Sequence, residues 1–182
     1  TRSAAAQTPI NAPGAMQPST GTGIIHEMAM YREIGSDPTS GILDGRQYIA
    51  LTQVAYGWSN NVSFQFDAPI VANDLNVTPT SNVDDDDFGV GDMVLWAKYR
   101  IYQDDPKPTD TTRFSFIGGL QIPGNTMFEM DSSNDAWDPI IGGVFSTVRG
   151  RNGFNADALW EFYTGDEDGQ SDSLRYDGSY LF

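Results

Sequence analysis

From about residue 23 onward, apolar and polar side chains alternate along the chain, the period of two that sends successive residues to opposite faces of a β-strand. Residues 62–70 carry it most plainly: Val62, Phe64, Phe66, Ala68 and Ile70 share one face, and Ser63, Gln65 and Asp67 share the other. In residues 91–103, Met93, Leu95, Ala97, Tyr99 and Ile101 oppose Asp92, Trp96, Lys98, Arg100 and Tyr102. Further on, Phe154, Ala156, Ala158, Trp160 and Phe162 oppose Asn155, Asp157, Glu161 and Tyr163, and Tyr176, Gly178, Tyr180 and Phe182 oppose Arg175, Asp177 and Ser179. Weaker alternation over residues 24–34, 46–58, 111–122 and 139–149 completes a set of about eight strands, and no segment competes as a helix. The pattern predicts an all-β chain of antiparallel strands joined by hairpins.

The strands are long. Most run about 9 to 13 residues, the length a tilted strand needs to cross a bilayer, whereas strands of soluble sheets average about 5 or 6. Their connections alternate in kind. Short links at Ser59-Asn60 and Gly150-Arg151-Asn152, and a medium one over residues 104–110, lie between long ones over residues 35–45, 73–87, 124–137 and 164–173. The long links hold most of the acid and neither Lys nor Arg. Short turns on one side and long loops on the other mark a transmembrane up-and-down β-barrel of a bacterial outer membrane, with the long acidic loops outside the cell. Trp58, Tyr102, Trp137 and Tyr163, at strand ends, suit the aromatic girdles at the two membrane surfaces. A soluble barrel or sandwich would alternate too, but would leave both the strand length and the loop asymmetry unaccounted for.

Composition narrows the reading further. A mean hydropathy of −0.38 resembles that of a soluble protein, but a barrel strand keeps every second residue polar, so the average says little. The lipid bilayer is the first expected partner. With a net charge of −15 and only 10 Lys and Arg, nucleic acid is not an expected one. There is no cysteine for a thiolate metal site or nucleophile. His26 is the sole histidine and no G-x-S-x-G occurs, so hydrolase chemistry lacks its parts and no enzyme is expected. Residues 1–22, rich in Ala, Pro, Thr and Gly, show neither period and read as a flexible lead-in. Ser3-Ala4-Ala5-Ala6 within them resembles the small-residue tail of a signal peptide.

The face opposite the apolar one supplies the candidate lumen-lining set: Gln65, Asp67, Asp92, Trp96, Lys98, Arg100, Arg113, Gln121, Asn155, Asp157, Glu161, Arg175 and Asp177. Two roles stay open for it. Arg and carboxylate groups pairing inside a narrow barrel would fill it and fix the strand register, whereas in a wider one the same groups would line a polar path and set its selectivity. Asp84, Asp85, Asp86 and Asp87 are the candidate metal ligands, since Ca²⁺ takes several carboxylate oxygens. Their spacing lacks the glycine and the one-three-five placing of an EF-hand, which favours a solvated charge run and no cofactor.

The stretch Gly89-Val90-Gly91-Asp92-Met93-Val94-Leu95-Trp96-Ala97-Lys98-Tyr99-Arg100 resembles a strand of the outer-membrane transporter family named for the MetA pathway of phenol degradation. Trp137-Asp138-Pro139-Ile140-Ile141-Gly142-Gly143 and Gly150-Arg151-Asn152-Gly153-Phe154-Asn155-Ala156-Asp157 are similar to later hairpins of that family, and the resemblance covers residues 48–182. It implies a barrel for small, often aromatic, compounds. It also implies further hairpins beyond residue 182, so the chain is expected to be part of a larger barrel. The function expected is passive passage of small-molecule solutes. The alternative is a structural barrel with a side-chain-filled lumen whose acidic extracellular loops bind a protein partner.

Overall fold

The computed structural model describes residue 15 and residues 17–35, 42–77, 86–107, 110–124, 137–164 and 172–181. Among these residues there are nine strands and no helix: β1 (Gly23–Ile34), β2 (Ile42–Gly57), β3 (Val62–Val77), β4 (Asp86–Val90), β5 (Met93–Lys107), β6 (Asp110–Ile122), β7 (Asp138–Arg149), β8 (Asn152–Glu161) and β9 (Ser173–Leu181). They form one antiparallel sheet in the order β1-β2-β3-β5-β6-β7-β8-β9, with β4 beside β3. Every neighbour on this path is the next hairpin arm, the up-and-down order that the alternation predicts. The sheet curls into a half-barrel, with β1 at one edge and β9 at the other.

Three features depart from the sequence reading. First, the strands run past their alternating cores. Residues 73–77 and 86–87, read as loop, extend the hairpin of β3, and the 104–110 link shrinks because β5 reaches Lys107 and β6 starts at Asp110. Backbone amides pair whatever the side chains are, so a hairpin outlasts its apolar belt. Second, β4 and β5 are one strand with a bulge. Asp67 faces Val94 and Ile70 faces Val90, so Ala68 and Pro69 oppose three residues, Gly91, Asp92 and Met93. Pro69 has no N–H to continue the ladder, and only its carbonyl takes part, accepting from the Gly91 amide at 3.0 Å. Third, a register shift between Arg100 and Tyr102 sets Tyr102 opposite Phe114, which moves Tyr102 off the face of Lys98. A single extra residue in a strand exchanges its faces from that point on.

The two faces differ in burial. Along β5, Leu95, Ala97 and Tyr99 are exposed while Trp96 and Lys98 between them are buried, and along β8 Phe154, Ala158 and Trp160 are exposed while Asn155, Asp157 and Leu159 are buried. Curling draws side chains of the inner face together and spreads those of the outer face apart. The convex face is therefore the one with Phe64, Phe66, Leu95, Phe116, Ile141, Trp160 and Tyr176, all well exposed. From Phe64 to Ala72 on β3 it carries no charge for eight residue steps; at about 3.3 Å each and tilted about 40°, these rise roughly 20 Å, close to the height of a membrane belt. Glu33, Arg46 and Asp74 lie in one cross-strand row above this belt, toward the long connections. On the edge strand β1, Glu27 interrupts it and accepts from Thr52 Oγ1 at 2.9 Å.

Candidate functional site: the concave face

Cross-strand register assembles the concave face row by row. One row runs Ala55, Gln65, Trp96, Gly119, Ile140, Glu161 and the next Ser63, Lys98, Ile117, Gly142, Leu159, Arg175. At its centre Lys98 Nζ donates to Gln65 Oε1 (2.9 Å), Gln65 Nε2 donates to Asp67 Oδ1 (2.7 Å) and Trp96 Nε1 donates to Asp67 Oδ2 (2.8 Å). Gln65 thus links the buried ammonium to a carboxylate that also holds the indole in place. The ring of Trp96 lies over Gly119, where an added Cβ would stand 2.5 Å from Trp96 Cε3. Only a residue without a side chain leaves the indole that position.

The other candidates fall on the same face but not into one cluster. Arg100 donates to the Asn60 carbonyl, and Arg113 lies 3.7 Å from Asp105 near the short turns. Asn155 faces Ser179, with Nδ2 and Oγ 3.5 Å apart. Asp157 is buried without a hydrogen bond to either oxygen and sits opposite Asp177; two strands away in the same row, the Ser115 hydroxyl is likewise buried and unpartnered. Glu161 and Asp177 are half-buried, and Arg175 is exposed on the edge strand. Among the described residues, no ladder of Arg and carboxylate pairs joins the central strands. Amide and indole bonds do that work: Gln65 and Trp96 each donate to an oxygen of Asp67, and hydrogen bonds from neutral donors stabilise a carboxylate in its charged form.

Asp92 and Asp138 share one geometry at the long-connection ends of their hairpins. Asp92 Oδ1 accepts from the Gly124 amide (2.7 Å) and its Oδ2 from Gln121 Nε2 (2.8 Å), while Asp138 Oδ1 accepts from the Thr164 amide (2.9 Å). Asp92 lies just before β5 and Asp138 opens β7, and each ties down a neighbouring strand as that leaves the sheet. At the opposite end, Asp110 Oδ1 does the same for the Gly150 amide (2.9 Å). Removing a buried acceptor strands its donor, so Asp138→Ala is expected to destabilise the protein by about 1–3 kcal/mol, and Asp138→Asn, which keeps an acceptor, by less. Urea unfolding followed by tryptophan fluorescence reads the difference; equal losses would mean that Asp138 acts through something other than this bond.

Several concave residues escape a reading by alternation. Gln47 Nε2 donates to Asn73 Oδ1 (2.9 Å) and Arg32 donates to Gln47, a polar chain across β1, β2 and β3. Asn73 falls in the 73–87 link by alternation, yet it lies within β3. Ile117, Ile140, Val144 and Leu159, with Trp96, make an apolar cluster on this same face. Strand β7, apolar toward both sides at Ile140 and Ile141, was the available signal. Of the four candidate metal ligands, Asp84 and Asp85 lie outside the described residues, as do the side chains of Asp86 and Asp87; among the described residues no cluster suited to a metal occurs.

An all-β antiparallel sheet curled so that polar and bulky groups gather inside and apolar groups face out is a barrel-type wall. The family comparison agrees: residues 37–180 match the family described as "Putative MetA-pathway of phenol degradation", and the chain belongs to that family. No curated protein and no solved structure matches the chain.

Proposed function

We propose that this chain is wall of an outer-membrane β-barrel through which small solutes pass passively, and that it carries out no catalysis. The observation that supports this best is the opposite chemistry of the two faces of one curled sheet. The convex side offers an uncharged belt from β3 to β9, with Trp58 and Tyr102 exposed toward the short-turn end and Trp137 toward the other. A water-soluble protein would gain nothing from exposing that many large apolar groups, whereas in lipid they are the stable arrangement. The concave side holds the Lys98, Gln65 and Asp67 network beside apolar Trp96 and Ile117, surfaces that suit small amphiphilic or aromatic solutes better than bare ions. The family's name supports the same class of compound. The long acidic connections face outward and the short turns face the periplasm. Further hairpins, closing the gap between β1 and β9, complete the barrel.

The expected result is single-channel conductance in planar bilayers and swelling of proteoliposomes in small neutral or aromatic solutes. Vesicles that stay osmotically silent and bilayers without current would overturn the reading in favour of a self-filled barrel that docks partners by its loops.

A further inference from the structure

The described part of the lead-in does not trail away from the sheet. Ala15 is fully buried among Trp96, Ile117, Ile140, Val144 and Leu159, and its amide donates to Ser146 Oγ at 2.9 Å. Five residues later, Thr20 bridges Gly57 at the short-turn end of β2. There the Gly21 amide donates to the Gly57 carbonyl (2.7 Å), the Gly57 amide donates to the Thr22 carbonyl (3.0 Å) and Thr20 Oγ1 donates to Asn60 Oδ1 (2.9 Å). Gly21, at φ 75°, reverses the chain before β1, and the Thr22 amide closes the turn on the Ser19 carbonyl (3.0 Å). An added Cβ at Gly57 would collide with the Pro18 and Ser19 carbonyl oxygens.

Distance shows the path between these anchors. Gly57 is on β2 and Ser146 on β7, four strand spacings apart along the sheet, roughly 19 Å of arc. The five steps from Ala15 to Thr20 reach at most about 17 Å when extended. The contacts at the two ends add a few ångströms to that reach, so the link between the anchors is short and direct, and its Pro18 and Ser19 lie over the concave side of Gly57. From this geometry we infer that the end of the lead-in, Ala15 and residues 17–20, is a strap over the inner face of the barrel wall, pinned at Gly57 and at Ser146, which narrows the path for solutes on the short-turn side. The inference rests on the concave face being that path. The strap occupies the apolar patch beside Trp96, so a solute drawn to that patch competes with Ala15 for it.

The protein has no native cysteine, so an engineered pair is unambiguous. The Ala15 to Ser146 hydrogen bond holds the two Cα atoms within about 6.8 Å, the reach of a disulfide. Ala15→Cys with Ser146→Cys is expected to crosslink in the membrane-assembled full chain, and removal of residues 1–17 to raise single-channel conductance several-fold. If the removal impairs assembly, Gly57→Val in the full chain dislodges the same segment and should raise conductance likewise. Absence of the crosslink, or a crosslink together with unchanged conductance in both variants of a conducting protein, overturns the strap and leaves passive passage standing. A crosslink in a protein that never conducts, with or without its first 17 residues, upholds the strap's position and sinks the passage reading instead.

Discussion

Replacing Leu95 with Arg is expected to destabilise the protein by about 2–4 kcal/mol if the side chain lies near the middle of the membrane, falling toward zero near either surface. Leu95 is half exposed on the convex face, between Phe66 on β3 and Leu120 on β6. In lipid its neighbours are acyl chains, which offer a guanidinium nothing to replace water. Arg100→Leu supplies the control, because Arg100 lies on the other face and reaches the Asn60 carbonyl near a turn. That change should cost far less. Urea titration of the lipid-reconstituted protein, read by the mobility of unheated samples on gels, measures both. A harmless Leu95→Arg beside an Arg100→Leu that fails to assemble would mean that the faces are reversed.

The second large effect is expected at Gly119. A valine there would drive its Cβ into the Trp96 ring, and both partners are held, the glycine by the β5 and β7 ladders and the indole by its bond to Asp67. Overpacking of this kind destabilises by about 1–3 kcal/mol. Combining it with Trp96→Ala removes the clash, so the double variant should be more stable than the sum of the single losses by about 1 kcal/mol or more. Strict additivity in a double-mutant cycle would show that the ring does not lie over Gly119. The variant has a second readout under the proposed function: an indole pushed off Gly119 leaves its place in the apolar cluster of the concave face, so uptake of aromatic solutes should change while the secondary structure seen by circular dichroism does not.

What alternation made legible is the class and order of the strands. Residues 62–70, 91–103 and 154–163 each present one uncharged face, and a sheet has only two, so the face of Leu95 and the face of Lys98 followed from the sequence. So did the pairing of the strands that short links join, because a short turn forces neighbours in sequence to be neighbours in space. The ends of strands were less legible, since residues 73–77 and 86–87 pair through the backbone and leave no apolar trace. Tyr102 was misplaced because a bulge is a backbone event, invisible to a count of every second residue.

By itself, then, the sequence determined an antiparallel, two-faced sheet with short links at one end and long acidic ones at the other, because side-chain period and turn length are local properties. Only the tertiary structure decided how the inner face is used. That Lys98 reaches Asp67 through Gln65, that Trp96 rests on Gly119, that Asp157 stays unpartnered and that Ala15 lies under Ser146 all depend on register between strands far apart in the chain. The 131 residues separating Ala15 from Ser146 make the point most sharply. No local pattern encodes that contact; it arises because the curl of the sheet leaves one apolar patch open at the distance a short strap can reach.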